Sequence, residues 1–338
     1  MRSRIGRYEL LTRLAVGGMS EIYLARLEGI GGFEKLYVVK RILPTLVGHA
    51  KFRQMLIAEA RIASQLLHNS ICQVVELGET NGEMYLVMEY LEGIPLLALL
   101  RRSYREATLL DLGLIAGIVE QVGEALGYAH SFCDREGNIG VIHRDVSPGN
   151  IYLCESGLVK VLDFGIAKAR TSEPTHDGVV KGKHGYMAPE QALGEPLDHR
   201  VDIFALAVVT FEMLALRALF RRKTDYLTAR ALIEEPRPDL RDYRPDVPDA
   251  IVRALDIALD PEPGWRYASA PAFAAAFTSA VRPWTQREIG DYISRRFADK
   301  LARRRIHIAN LLAPTPTAFE HIPDTFRFTR MHQTPPVG

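Results

Sequence analysis

Short alternating stretches and tight turns fill the first quarter of the chain. Tyr8–Leu14 alternates apolar and polar positions imperfectly and predicts a strand; Ala15–Ser20 turns; Glu21–Ala25 predicts a second strand. Leu36-Tyr37-Val38-Val39-Lys40 is a β-branched strand ending in a lysine. The spacing then changes from two to helical. Phe52, Leu56, Ala60, Ala63 and Leu67 fall on one face of a helix predicted over 52–67. Strands return at Gln73–Leu77 and Met84–Glu89, joined by a turn at Asn81-Gly82. Beyond this point helical spacing dominates. Leu109–His130 predicts a long helix with Ile115, Val119, Val122 and Leu126 on one face. Ile203–Phe220 is nearly continuous and reads as a buried helix.

After Pro283 the character shifts. Ile289, Tyr292, Ile293, Phe297, Leu301, Ile308 and Leu312 keep helical spacing, with a break expected near Arg304-Arg305. Arg295, Arg296, Lys300, Arg303, Arg304 and Arg305 crowd the same stretch. Such a basic amphipathic helix either docks its apolar face on its own domain, the favoured reading, or makes peripheral contact with anionic lipid through 289–312. From Pro314 the chain is rich in Thr and Pro, and 314–338 is expected to be a disordered tail.

The 338 residues suffice for one large domain or two lobes, and the 47% apolar content is that of an ordinary globular protein. A net charge of +1 gives no reason to expect a nucleic-acid partner. Cys72, Cys133 and Cys154 are odd in number and lack CxxC spacing, which points to reduced thiols and a cytoplasmic protein. Residues 1–30 lack the apolar core of a signal peptide. Glu212 and Arg217 interrupt Ile203–Phe220, so no membrane span is expected.

The candidate chemistry is concentrated in Val141–Gly165, where apolar pairs flank two polar clusters as short buried strands flank a loop. His143-Arg144-Asp145-Val146-Ser147-Pro148-Gly149-Asn150 is followed by Leu162-Asp163-Phe164-Gly165. Asp145, Asn150 and Asp163 suit a metal–phosphate site, because Mg²⁺ takes oxygen ligands and retains phosphate oxygens in its shell. A hydroxyl attacking phosphorus must lose its proton, so one carboxylate is needed as a base.

This arrangement resembles the catalytic loop and DFG motif of protein kinases, and the ordered likeness from Tyr8 to Val281 resembles the bacterial Hanks-type serine/threonine kinases. The resemblance implies an α+β, bilobal protein-kinase-like fold, with a small β-rich N-lobe and a larger, mainly helical C-lobe. It places the kinase domain at 8–281 (N-lobe 8–89, hinge 89–93, C-lobe 94–281) and a helical extension at 282–313. It implies ATP and Mg²⁺ as cofactors, with Mn²⁺ as an alternative, and protein substrates, with a homodimer serving autophosphorylation. Asp145 is then the base or hydroxyl-positioning group, and Asn150 and Asp163 the metal ligands. Lys40 holds the α- and β-phosphates, oriented by Glu59. The nucleotide is enclosed by Leu14, Ala15, Val16, Gly17, Gly18, Met19, Ser20 and Ile22, by Val38, by the gatekeeper Met88, by backbone groups of Glu89 and Leu91, and by Leu153 on the floor. Arg144 matches the arginine that grips an activation-loop phosphate, with Thr171, Ser172 and Thr175 as acceptors, and Glu190 should pair with Arg266.

Several positions depart from the family pattern. Ala15 and Ser20 replace glycines of the nucleotide loop, with some cost expected at Ala15 if a positive φ is required. Val38 replaces alanine. Ser147 stands where lysine is usual, and Lys183 where a threonine normally sits close to the catalytic aspartate. The two departures suggest an exchange, in which Lys183 reaches Asp145 and the γ-phosphate while Ser147 supplies the hydroxyl. An impaired kinase acting as a nucleotide-binding scaffold is the alternative, yet the lysine and both aspartates are present. A small-molecule phosphotransferase fits Gly182–Glu190 poorly.

Overall fold

The computed structural model describes residues 3–43, 50–133, 137, 140–164 and 183–313, with the side chains of Lys51, Glu59 and Lys183 outside that description. Strands β1 (Arg4–Ile5), β2 (Tyr8–Val16), β3 (Ser20–Glu28), β4 (Glu34–Ile42), β5 (Val74–Thr80) and β6 (Glu83–Glu89) form an antiparallel sheet of order β1-β2-β3-β4-β6-β5. Its register aligns Ile22 with Lys40 and Leu86, and Leu24 with Val38 and Met88. Because side chains alternate along a strand, the sheet serves two clusters. Tyr8, Tyr37, Val39, Tyr85 and Val87 pack on one face. Leu86 and Met88 pack on the other with Ala60, Ala63, Cys72 and Val74, and with the half-buried Val38 and Leu91. The β5–β6 turn is Asn81-Gly82 with φ of 53° and 79°, the pair of positive values that a two-residue hairpin loop needs.

Helix α1 (Ala50–Ala63) buries Leu56, Ala60 and Ala63. It ends four residues before the expected limit: Leu67 lies past the helix at 69% exposure, and Leu66 is the buried residue. The chain leaves the helix in turns, so the face that spacing assigned to Leu67 ends at Ala63.

Below the sheet, β7 (Gly93–Pro95) leads into α2 (Leu96–Arg105), and β8 (Ile151–Cys154) pairs with both β7 and β9 (Val159–Val161) in a three-stranded sheet. Helix α3 (Leu112–Ser131) starts three residues later than its apolar stripe suggested, because Asp111 caps it by accepting from the Gly113 N–H at 2.7 Å. Its face Ile115, Val119, Val122 and Leu126 is fully buried. Helix α4 (Pro189–Leu193) precedes α5 (Arg200–Ala215), in which every residue from Val201 to Ala215 is buried. Burial on all sides explains the apolar run without invoking a bilayer, and among the described residues no helix is long and apolar enough to cross a membrane.

Helices α6 (Asp225–Glu234), α7 (Asp249–Ala258), α8 (Ala270–Thr278) and α9 (Gln286–Arg296) complete a compact unit that extends through Ala298. Helix α9 begins with a capping box between Thr285 and Glu288 and buries Ile289 and Ile293, as expected of a helix docked on its own domain. The expected break at Arg304-Arg305 is absent. It falls at Phe297, with α10 running unbroken over Ala298–Leu312. Arginine is a good helix former, whereas at Phe297 the backbone leaves helical geometry. The predicted tail at 314–338 lies outside the described residues.

Candidate active site

The loop from His143 to Asn150 is held from beneath by one carboxylate. Asp202, the third residue of α5 and fully buried, accepts from the His143 N–H at 2.7 Å and the Arg144 N–H at 2.8 Å. His130 Nε2 also reaches Asp202, at 2.8 Å. Burial pushes the Asp202 carboxyl up, but the His130 hydrogen bond and charge and the His143 contacts outweigh it and hold it below the usual carboxylate range. These two N–H bonds fix a turn in which Arg144 has φ of 61°.

His143 is fully buried. Its Nδ1 accepts from the Asp145 N–H at 3.1 Å and its Nε2 lies 2.8 Å from the Leu162 carbonyl. A carbonyl only accepts and a backbone N–H only donates, so this ring is the neutral Nε2–H tautomer. The residue therefore ties the catalytic loop to the strand end that presents Asp163, and its ring packs on Phe164 with centroids 4.6 Å apart. Asn150 Nδ2 donates to the Asp145 carbonyl at 2.8 Å and to Asp145 Oδ2 at 3.0 Å. The Leu162 N–H donates to the Asn150 carbonyl at 2.8 Å. Asp145, Asn150 and Asp163 are thus joined through one local network.

Across the cleft, Lys40 Nζ lies 3.0 Å from Asp163 Oδ1, with side chains 14% and 30% exposed. The strand register carries Lys40 to this point, two residue pairs from Val38 beside Met88. Asp163 has φ of 54°, a left-handed conformation unusual for a non-glycine and concentrated at functional turns. The Glu59 side chain, expected beside Lys40, lies outside the described residues, as does that of Lys183. Ser147 is 4% exposed in the catalytic loop.

The turn Gly17-Gly18-Met19 joins β2 to β3 as a flap, with the Gly17 N–H bonded to the Ser20 carbonyl at 2.8 Å. Ala15 stays in the strand, paired with Ile22, and does not take a positive φ. The expected cost at Ala15 is therefore absent, because the strand continues through Val16 before the chain turns. Leu14, Val16 and Met19 are exposed on this flap, whereas Ser20 is buried. Met88 packs under the sheet against α1 residues, and Leu153 is fully buried. At the hinge the Leu91 N–H has no hydrogen-bond partner among the described residues.

Sequence reasoning missed the brace behind that hinge. Lys160 Nζ donates to Glu89 Oε1 at 2.6 Å and to the Ile71 carbonyl at 3.2 Å, while the Gln73 N–H donates to the same Glu89 oxygen at 2.8 Å. A lysine on a three-residue strand carries no sequence signal for such a role. His130 was missed likewise, as a polar residue at a helix end. Glu190 and Arg266 do form the expected pair, bidentate at 2.6 and 2.8 Å and almost fully buried.

A curled antiparallel sheet over a helical lobe, with a lysine–aspartate pair across the cleft, defines the protein kinase fold. Residues 8–256 match the model described as the protein kinase domain, and the chain belongs to that family. It is 39% identical over 318 residues to the tyrosine-protein kinase MasK of Myxococcus xanthus, covering 92% of this chain and 49% of that protein. It is 37% identical over 283 residues to the serine/threonine-protein kinase PknA of Mycobacterium tuberculosis, covering 82% of this chain and 62% of the relative. The chain thus spans about half to three-fifths of the length of these relatives. Among solved structures, the kinase domain of M. tuberculosis PknI superposes with a TM-score of 0.63 at 28% identity, over 82% of this chain and 97% of that one. Kinases of this family use ATP and Mg²⁺. Asn150 and Asp163 offer the hard oxygen donors that suit Mg²⁺, which needs few protein ligands because phosphate and water fill the rest of its shell. The residues fit the group.

Proposed function

We propose that the chain is an ATP-dependent protein kinase that transfers the γ-phosphoryl group to serine or threonine hydroxyls of protein substrates. The observation that carries this reading is the network fixing Asp145 beside Asn150, opposite the Lys40–Asp163 pair. Asp145 orients the acceptor hydroxyl and takes its proton. Lys40 binds the α- and β-phosphates, with Glu59 orienting its amine. Asn150 and Asp163 would hold Mg²⁺, which would supply neutralising charge to the phosphates. The flap from Leu14 to Ile22, the hinge groups of Glu89 and Leu91, and Val38, Met88 and Leu153 enclose the nucleotide and exclude water. Catalysis rests on positioning and on charge already in place.

Ser147 and Lys183 have exchanged the usual amine and hydroxyl in this reading. The buried position of Ser147 within the catalytic loop supports it. The double substitution Ser147→Lys with Lys183→Thr should then recover activity that either single change removes. The buried Arg144 Nε, without a partner among the described residues, supports a phosphate acceptor on the segment carrying Thr171, Ser172 and Thr175, which itself lies outside the described residues. The domain is read as 8–281 with a helical extension to 313, in the cytoplasm, acting on itself as a homodimer. Buried Cys72 and Cys154, which form no disulfide, suit a reducing compartment.

The test is labelled-phosphate transfer from Mg-ATP onto the protein and onto a generic acceptor, followed by phosphoamino-acid analysis. Asp145→Asn and Lys40→Met should each reduce the rate by about 10²–10⁴-fold. Folded wild type that binds nucleotide but transfers nothing would replace this reading with the scaffold. Phosphotyrosine as the sole product would replace the acceptor class and bring the chain closer to MasK.

A further inference from the structure

We propose that a cavity beside the catalytic loop binds acidic residues of the protein substrate, so that hydroxyls flanked by Asp or Glu are selected. The identity of the occupant rests on the kinase reading.

The cavity encloses about 1100 Å³ between α2, the C-terminal end of α5 and the chain that follows it. One contact joins it to the catalytic loop. The N–H of Leu97, which lines it, donates to the Pro148 carbonyl of the catalytic loop at 2.9 Å. The Tyr186 hydroxyl donates to Glu212 Oε2 at 2.5 Å, and Glu212 lines the cavity floor. The cavity therefore lies against the backbone of the loop that carries Asp145.

The charge of this cavity is out of proportion to the chain. Lysines and arginines number 42 against 41 acidic residues overall. Here Arg101, Arg105, Arg217, Arg221, Arg222 and Arg237 face a single lining carboxylate, Glu212. Arg222 is paired with Glu235 at 2.7 Å, and Arg237 donates to the Leu259 carbonyl. Arg101, Arg105, Arg217 and Arg221 form no ion pair among the described residues. Arg217 is instead laid over the Tyr243 ring, its Cζ 5.5 Å from the centroid. Glu212 is 8% exposed and already engaged by Tyr186. Burial pushes its carboxyl up, against the Tyr186 hydrogen bond and Arg221, which makes it a poor counter-charge for a basic ligand.

Arg105 donates to the Arg101 carbonyl at 3.3 Å and Arg221 acts on Glu212 through its charge, but none of the four guanidinium groups forms an ion pair among the described residues; like charges around one concavity repel one another, and carboxylates relieve that repulsion by bidentate hydrogen bonds. The walls between them are apolar, including Leu100, Phe211 and Tyr104, which suits a peptide with apolar side chains among acidic ones. A basic peptide meets repulsion at the same place.

The test uses the full chain and a fluorescent serine peptide flanked by Asp and Glu, compared with its Asn/Gln version by anisotropy. Wild type should bind the acidic peptide about tenfold more tightly, an advantage that falls with added salt. Arg101→Ala with Arg105→Ala and Arg217→Ala should abolish the difference at unchanged melting temperature. Arg101→Glu with Arg105→Glu should turn the preference toward a lysine-flanked peptide, a gain that an unfolded variant cannot give. In turnover, the alanine variant should raise KM for the acidic peptide and leave kcat intact. Equal binding of acidic and neutral peptides by wild type overturns the proposal, and so does equal competition by an oligonucleotide of the same charge. Acidic binding without phosphoryl transfer supports the cavity and overturns the kinase reading. Transfer with equal kcat/KM for both peptides does the reverse.

Discussion

Asp202 holds three partners on two segments: the loop N–H groups of His143 and Arg144, and the His130 ring at the end of α3. Asn at this position keeps the shape but presents an amide donor to one of two backbone donors. Asp202→Asn should therefore cost about 1–3 kcal/mol for the group left unpaired, read by urea unfolding at neutral pH. The pH dependence follows from the sign of the shift. The folded carboxyl titrates below its ordinary value of 3.8, so its contribution is complete above that value and is lost as pH falls through the lower folded one. The stability gap between wild type and Asp202→Asn should stay constant from neutral pH down to about 5 and narrow below about 4. A gap independent of pH down to 3 would mean that the charge of Asp202 does not support the loop. His143 belongs to the same scale. Its two hydrogen bonds require one neutral tautomer, so it acts as a strut between the loop and Asp163 and not as a proton carrier.

At the scale of elements, close approach decides where glycine is needed. Helix α9 crosses the β8–β9 turn so tightly that a Cβ on Gly157 would lie 1.6 Å from the Gln286 carbonyl oxygen, and Gly157 has φ of 83°. On the α9 side, a Cβ on Gly290 would come within 2.7 Å of the Glu155 carbonyl oxygen. Gly194, past the end of α4, has φ of 73° but nothing within 4 Å. Gly157→Ala should thus lower stability by about 2–4 kcal/mol, strain and clash together, whereas Gly194→Ala should cost about 1 kcal/mol of backbone strain alone. Thermal melts of the two variants compare these effects directly. Equal losses would mean that α9 is not seated on the turn. The β8–β9 turn also touches the hinge, since the Glu155 N–H donates to the Glu92 carbonyl at 2.9 Å, so Gly157→Ala should additionally raise KM for ATP.

The whole molecule is larger than its family signature. The family model ends at residue 256, yet Trp284 packs on Gly113 and Gly117 of α3, and Ile289, Ile293 and Phe297 are buried. Each such side chain contributes about 1.5–3 kcal/mol by burial, and three of them rival the total stability of an ordinary domain, about 5–15 kcal/mol. A chain ending at Pro283 should therefore unfold or aggregate at temperatures where the full chain is folded, as read by circular dichroism and gel filtration. A truncated chain melting within about 2 °C of the full one would show that the extension is dispensable. Arg102 reinforces the docking, donating to the Arg296 carbonyl, while Arg296 reaches Glu106 at 2.5 Å.

The sequence by itself determined the order of elements, the two-residue hairpin at Asn81-Gly82, the buried stripe of α3 and the motif that brings Asp145, Asn150 and Asp163 within reach. These are local matters: period, turn chemistry and short spacing survive in one dimension. It also anticipated the Glu190–Arg266 pair, through likeness to a family whose parts recur in order. Only the tertiary structure decided that α1 stops at Ala63 with Leu66 inward, that Ala15 stays in a strand, and that the extension breaks at Phe297. It alone joined Lys160 to Glu89 behind the hinge, and gathered arginines from α2 and the end of α5 around one cavity. Those groups lie from 71 to more than 100 residues apart, and nothing in local pattern says which long side chain will meet which carboxylate once the chain has packed.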